Sequence, residues 1–337
     1  MLSNFKRFLS LPVPLALVLL HGAAQASCGS AFCTVNTYWD TQGLSNTAGL
    51  NIDLRYSYAK PDRLRAGSQR VAPATPSGSD DEIENGRTIN RFLDLEADYA
   101  INERWNVALS VPLVVRDHVH TFDSSISGPF AQQARFTSPG DVRVVGKYKF
   151  DTGNPLAGGG LRVGLKLPTG SIRKTMNPPA PAAPTIPYAL ERSAQPGTGS
   201  TDIILAAYRF GGWADSSWSW FANGQVQSAI TTRDGYRPGR QTQVDLGMNH
   251  AFSQELVGLL QLNLHHRSRD RGENSNSASG GSSLNLSPGL SYAFSPQSRV
   301  YAFVQKAMFQ RVNTDPATGA GQLVAPWSFA VGVSRAF

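Results

Sequence analysis

From about residue 48 onward, hydrophobic and polar positions alternate with a period of two, and a 3.6-residue repeat is almost absent. "LNIDLRYSY" sets Leu50, Ile52, Leu54, Tyr56 and Tyr58 against Asn51, Asp53, Arg55 and Ser57. "WNVALSVPLVV" repeats the arrangement with Trp105, Val107, Leu109, Val111, Leu113 and Val115, and "GLRVGLKL" with Leu161, Val163, Leu165 and Leu167. Each reads as a strand with one apolar and one polar face. About twelve such segments follow one another, near residues 48–60, 87–100, 103–116, 140–151, 159–169, 199–211, 216–230, 241–252, 255–267, 282–294, 298–310 and 326–337. They run about 11 to 15 residues, against about five or six in soluble sheets, which suffices to cross a bilayer at a tilt.

The connections alternate in length. Long polar loops such as "PDRLRAGSQRVAPATPSGSDDEIENG" follow the odd strands, and tight turns such as "INE", "GWADS" and "SPQ" follow the even ones. The pattern predicts an all-β fold, a transmembrane antiparallel up-and-down β-barrel of about twelve strands, with both termini on the short-turn, periplasmic side. A sheet in hydrocarbon must leave no unpaired edge, so the first strand should pair with the twelfth. Tyr99, Trp105, Tyr148, Phe150, Tyr208, Phe210, Trp218, Phe252, Tyr292, Phe294, Tyr301 and Phe303 all fall near short turns and are expected to form one interfacial girdle. In the last strand Trp327, Phe329, Val331, Val333 and Phe337 share the apolar face.

The beginning of the chain changes the compartment. "MLSNFKRFLSLPVPLALVLLHGAAQA" carries Lys6 and Arg7, an apolar run and an Ala-x-Ala site, the features of a secretory signal peptide over residues 1–26. Beyond it no stretch approaches the ~18 to 20 apolar residues of a membrane helix. Lys and Arg number 31 against 24 Asp and Glu. The surplus is scattered through Gly/Pro/Ser-rich segments without interleaved aromatics, which argues against nucleic acid as a partner. Cys28 and Cys33 are expected to close a small disulfide loop in an oxidising compartment. An acylated Cys28 is the competing reading, weakened by Gln25 where an aliphatic residue would be wanted. Residues 27–46 then form either a lumen plug, packed through Tyr38 and Trp39, or a periplasmic handle for a partner. Residues 47–337 form the barrel.

Three phrases in the middle of the chain, "SPGDVRVVGKYKF", "LRVGLKLPTGSIRK" and "QPGTGSTDIILAAYRF", resemble successive blocks of the outer-membrane barrel family named for the meta-pathway of phenol degradation. The resemblance covers residues 138–210 by motif. It implies passage of small molecules, aromatic or hydrophobic compounds among them, across the outer membrane of a Gram-negative bacterium. Outer-membrane barrels commonly end on an aromatic, and the resemblance implies that Trp327, Phe329 and Phe337 serve as the signal for the barrel-assembly machinery. Outer-membrane lipid and lipopolysaccharide are the surroundings it implies.

Chemistry should sit on the inward faces. Asp94, Glu96 and Asp98 form an acidic wall on the second strand, and the fourth and fifth offer Asp141 with Arg143, Lys147, Lys149, Arg162 and Lys166, a basic wall. Between them the third strand offers only Asn106, Ala108 and Ser110. The two walls either set up a transverse field across a pore or pair into a ladder that fills it. About twelve strands lie between the filled eight-stranded barrels and the open sixteen-stranded porins, so a narrow path is expected. His118 and His120 are read as residues of a solvated loop in preference to a metal pair, and of His265 and His266 at most one can enter the lumen. A membrane hydrolase, the rival class, would need a nucleophile and a histidine on one face. His250 and several serines exist, but no G-x-S-x-G elbow or triad spacing selects them. No enzyme activity, cofactor or metal is expected; an accessory barrel anchoring a periplasmic partner is the other alternative.

Overall fold

The computed structural model describes residues 34–44, 49–78, 81–154, 156–177, 188–214 and 217–337. The expected signal peptide and the Cys28 and Cys33 pair lie outside these residues. Twelve barrel strands are found among the described residues: Gly49–Ala59 (β1), Asp81–Ala100 (β2), Trp105–Ser124 (β3), Arg143–Lys149 (β4), Ala157–Lys166 (β5) and Asp202–Gly212 (β6). Trp218–Ala229 (β7), Gln241–Ala251 (β8), Leu256–Arg267 (β9), Gly281–Ser295 (β10), Ser298–Val312 (β11) and Trp327–Ala336 (β12) complete the set. Each pairs antiparallel with the next, and β1 also pairs with β12, from Asn51 opposite Ala336 to Ala59 opposite Ser328. The sheet is therefore closed. Connections after even strands remain short and those after odd strands long, as the alternation in the sequence predicts.

Period two sorts the side chains. Leu54, Leu95, Leu109, Leu161, Leu246, Leu262 and Val331 point outward and are exposed, forming a belt that only hydrocarbon would suit. Asn223, Asp245, Gln261, Asn263 and Ser287 point inward and are buried. No helix among the described residues is long and apolar enough to cross a membrane.

Two expectations need correction. Tyr99, Trp105, Phe150, Trp218, Phe252, Tyr292 and Phe294 are exposed near the short turns, as a girdle requires. Tyr208 (5% exposed), Tyr301 (2%) and Phe303 (2%) instead face inward, and so does Phe210, whose ring packs on Gly43 and Gly158. Their strand parity is that of Asp202 and Gln305, the polar face, and parity overrides nearness to a turn. The inward rings lie over glycines of neighbouring strands: a Cβ at Gly158 would sit 2.2 Å from Phe210 Cζ, and one at Gly332 2.3 Å from Tyr301 Oη.

The second correction concerns the third connection. β3 runs on to Ser124 and turns back as Gly128–Pro139, giving a hairpin arm beyond the long-loop end. His118 and His120 are thus strand residues, each 1% exposed, not members of a solvated loop. Thr88 Oγ1 lies 2.9 Å from His118 Nδ1, His118 Nε2 3.0 Å from His120 Nδ1, and His120 Nε2 2.8 Å from Gln132 Oε1. The chain of hydrogen bonds satisfies ring nitrogens that water cannot reach. Outside hydrocarbon a strand needs no apolar outer face, so Asp117 and Thr121 occupy it and the sequence pattern fades while the strand continues.

Candidate functional site: the lumen

The short-turn half of the barrel is filled by the chain itself. Residues 34–44 lie against the inner face, with a single 3-10 turn at Trp39–Gln42. Their polar groups are met by amides of the far wall. Gln305 Oε1 accepts from Thr34 N (3.1 Å), Gln261 Oε1 accepts from Asn36 N (3.0 Å), and Gln243 Nε2 donates to the Thr34 carbonyl (2.9 Å). Asn36 Nδ2 donates to Asp245 Oδ2 (3.3 Å), which also accepts from Asn223 (3.0 Å). Trp39 packs edge-on against Tyr301 at 4.8 Å between ring centroids, and its indole N–H donates to Asp53 (3.4 Å). Arg162 stacks on the Tyr38 ring at 4.2 Å, and Arg299 donates to the Leu44 carbonyl (2.8 Å). The segment has no repeat of its own, and its contacts come from strands far apart in the chain.

The charged walls meet over the third strand. Because Asn106 and Ala108 are small, Lys147 reaches across β3: its Nζ lies 2.7 Å from Asp98, 3.3 Å from Asp40 and 3.8 Å from Glu96. Asn106 also donates to Asp98 (3.1 Å). Arg55, on β1, takes Asp94 (2.8 Å) and donates to Thr37 of the inner segment (2.7 Å). Lys166 lies between Asp141 (3.1 Å) and Asp202 (3.2 Å). Arg162 donates to Asn223 (2.8 Å) and Gln225 (3.3 Å) rather than to a carboxylate. Lys149 shares the inward face of β4 and forms no ion pair among the described residues. Arg143 lines the lumen, and among the described residues it has neither a hydrogen bond nor an ion pair.

In the long-loop half the lumen is lined by Arg192, Ser193, Gln195, Pro196 and Thr198 of the connection between β5 and β6. One carboxylate ties together the two described parts of that connection, 167–177 and 188–201. Asp141 Oδ1 accepts from Gly170 N (3.0 Å), and its Oδ2 accepts from Thr198 N (2.9 Å), Thr198 Oγ1 (2.8 Å) and Lys166. Thr169 accepts from Val142 N and donates to the Gly140 carbonyl. Gly170 and Gly197 touch backbone to backbone: a Cβ on Gly170 would lie 2.7 Å from Gly197 Cα. Gly140-Asp141, Pro168-Thr169-Gly170 and Gly197-Thr198 come from the three separate phrases that carry the family resemblance, and they form one knot. Arg192, beyond the knot, stacks on Tyr236 (4.9 Å). Between this loop and the inner segment lies a cavity of about 270 Å³.

Residues 179–317 match the family described as "Putative MetA-pathway of phenol degradation". The match includes the phrase at 195–210 and extends the resemblance to β11; the two earlier phrases precede it. No curated protein matches the chain. Among solved structures, the COG4313 outer membrane channel from Pseudomonas putida F1 is similar over 90% of this chain and 100% of that one, with a TM-score of 0.61 at 12% identity. The chain has the fold of an outer-membrane β-barrel. The CymD monoaromatic hydrocarbon channel (TM-score 0.45, 12% identity, 94% of this chain and 98% of that one) is more distant. So is the Ralstonia pickettii toluene transporter TbuX (0.44, 11%, 88% and 91%).

Of the residues singled out in the sequence, the barrel brings Asp98, Glu96 and Lys147 together and gives Asp94 and Lys166 to other partners, Arg55, Asp141 and Asp202. Asp40, Arg55 and Asp245 belong to the same network and were not among them. For Arg55 and Asp245 a signal existed: both have the inward parity of their strands. For Asp40, in a segment without periodicity, there was none. His265 lines the lumen while His266 is exposed on the outer face, as adjacent strand residues must be. His250 bonds Ser217 (3.0 Å) at an exposed position near a short turn, and no carboxylate orients it among the described residues.

Proposed function

We propose that this barrel is a passive, diffusion-driven channel for small solutes, closed at rest by its own N-terminal segment. One observation carries the reading: the wall is a closed sheet with a polar inner face, and what interrupts its interior is residues 34–44, attached by amide hydrogen bonds rather than built in as a strand. A barrel meant only as an anchor would have no need of a removable filling or of a cavity above it. In this reading residues 1–26 are the leader, 27–46 the plug with Cys28 and Cys33 joined, and 47–337 the barrel. The short turns and both termini face the periplasm. Trp327, Phe329 and Phe337 are offered to the assembly machinery, the outer rim meets lipopolysaccharide, and Asp94, Glu96, Asp98, Arg143, Lys147, Lys149, Arg162 and Lys166 set the selectivity. The chain catalyses nothing.

Conductance of the purified protein in planar bilayers tests this directly. The full chain should show low conductance with rare openings, and deletion of residues 34–44 should raise single-channel conductance severalfold. A deletion variant that assembles and conducts no better than the full chain would refute the plug; one with no conductance in either form would refute the channel.

A further inference from the structure

We propose that the lumen holds a subsite for a small carboxylate with an apolar body, its carboxylate taken by Arg143. The inference rests on the channel reading for how such a solute arrives. Strand register supplies the apolar half. Ala108 of β3, Val145 of β4, Gly164 of β5 and Ile204 of β6 are successive Cα partners and share the inward face, so they form one strip across four strands. The strip runs between two polar rows. On one side lie Ser110, Arg143, Lys166 and Asp202; on the other lie Asn106, Lys147, Arg162 and Ala206. Gly164 has no side chain, so the strip stays low between Val145 and Ile204. A smooth apolar band inside a polar lumen has no use for water, and a flat hydrocarbon body would cover it.

The polar half is a mismatch in the pairing. The carboxylates lining the cavity are already engaged: Asp94 by Arg55, Glu96 by Lys147, Asp141 by Lys166, and Asp245 by four side-chain amides. Arg143 forms no ion pair or hydrogen bond among the described residues; its charge acts on Asp94, which Arg55 already holds at 2.8 Å. The Nε of Arg143 meets no acceptor, and the Nε of Arg162, which is 2% exposed, is also unmet. A guanidinium in this state offers a planar fork of donors that a carboxylate fits in two parallel hydrogen bonds. A buried donor left unmet carries a desolvation cost that a bound anion would recover. The cavity of about 270 Å³ corresponds to on the order of nine waters, room for a single-ring acid and little more.

Benzoate is the probe, with acetate (no apolar body) and benzyl alcohol (no charge) as counterparts, titrated by calorimetry into the full chain in detergent. Benzoate should bind saturably and acetate at least tenfold more weakly. Arg143→Gln should weaken benzoate at least tenfold and leave benzyl alcohol unchanged, and Arg143→Lys should fall between. Val145→Asn, a second route should Arg143→Gln fail to assemble, should weaken benzoate and not acetate. Equal binding of benzoate and acetate, or benzoate binding indifferent to Arg143 and Val145, would overturn the subsite. Failure of the channel reading is separable: a protein that never conducts but binds benzoate through Arg143 keeps the subsite, and one that conducts without Arg143-dependent binding loses it alone.

Discussion

Lys147 concentrates the lumen's electrostatics on one atom. It is almost fully buried and stands within 4 Å of three carboxylates, Asp98 and Glu96 of β2 and Asp40 of the inner segment. Replacing it with Met would leave those carboxylates facing one another, a loss of about 3–5 kcal/mol by the usual cost of stripping one partner from a buried ion pair. Urea unfolding in detergent micelles should show K147M clearly less stable than the wild type, with Asp40→Asn milder because Lys147 keeps two partners. Equal stability of K147M and wild type would mean that the cluster is solvated. At this scale the sequence was readable wherever parity was followed. Asp98 and Lys147 were found on facing walls because both sit on the polar face. Tyr208, Tyr301 and Phe303 were misplaced because their position near a turn was weighed above the same parity.

The knot at Asp141 accounts for an element rather than a residue. The described stretches 167–177 and 188–201 are tied to it at Gly170 and Thr198, and Gly170 and Gly197 approach so closely that neither tolerates a side chain. Asp141→Ala should leave the barrel folded, judged by heat-modifiable mobility in detergent gels, while proteases cut within 167–201 several times faster than in the wild type. Gly170→Val should do the same through steric means. Unchanged cleavage in both would show that other contacts hold the loop. Strand existence was legible from period two alone, since a wall with lipid on one side and water on the other must alternate. The knot was not, because Asp141, Gly170 and Thr198 are brought together from different connections and no local pattern links them. The hairpin arm was missed for a related reason: beyond the membrane the solvent no longer enforces an apolar face, and Arg116, His118 and His120 keep the strand's parity without its usual signature.

For the whole molecule the claim is an exterior that faces hydrocarbon. Leu246, in mid-strand on β8 and paired with Ala222 and Leu262, is exposed on that exterior. Leu246→Arg should cost roughly 2–4 kcal/mol if it lies near the bilayer midplane. Denaturant titration in phospholipid vesicles reads it, and Gln225→Arg on the inner face of the neighbouring strand should cost much less. A silent Leu246→Arg would be incompatible with a lipid-facing belt. Closure of β1 on β12 was likewise foreseeable, because an open margin in hydrocarbon would strand a row of amides.

The filling of the lumen has a consequence for how it can be moved. Residues 34–44 contain a single carboxylate, Asp40, and are gripped by the neutral amides of Gln243, Gln261, Asn285 and Gln305 together with buried charged groups of the wall, Lys147, Arg55 and Asp245 among them. An electric field therefore has one elementary charge to pull on, worth about 2.3 kcal/mol per 100 mV if it crossed the full potential. Added electrolyte has little purchase either, because salt does not act on the neutral amides and screens the buried charged contacts far less than exposed ones. Voltage and ionic strength are poor levers for such a stopper; a solute that competes for the same amides, or a tug on the chain ahead of Thr34, is the better one.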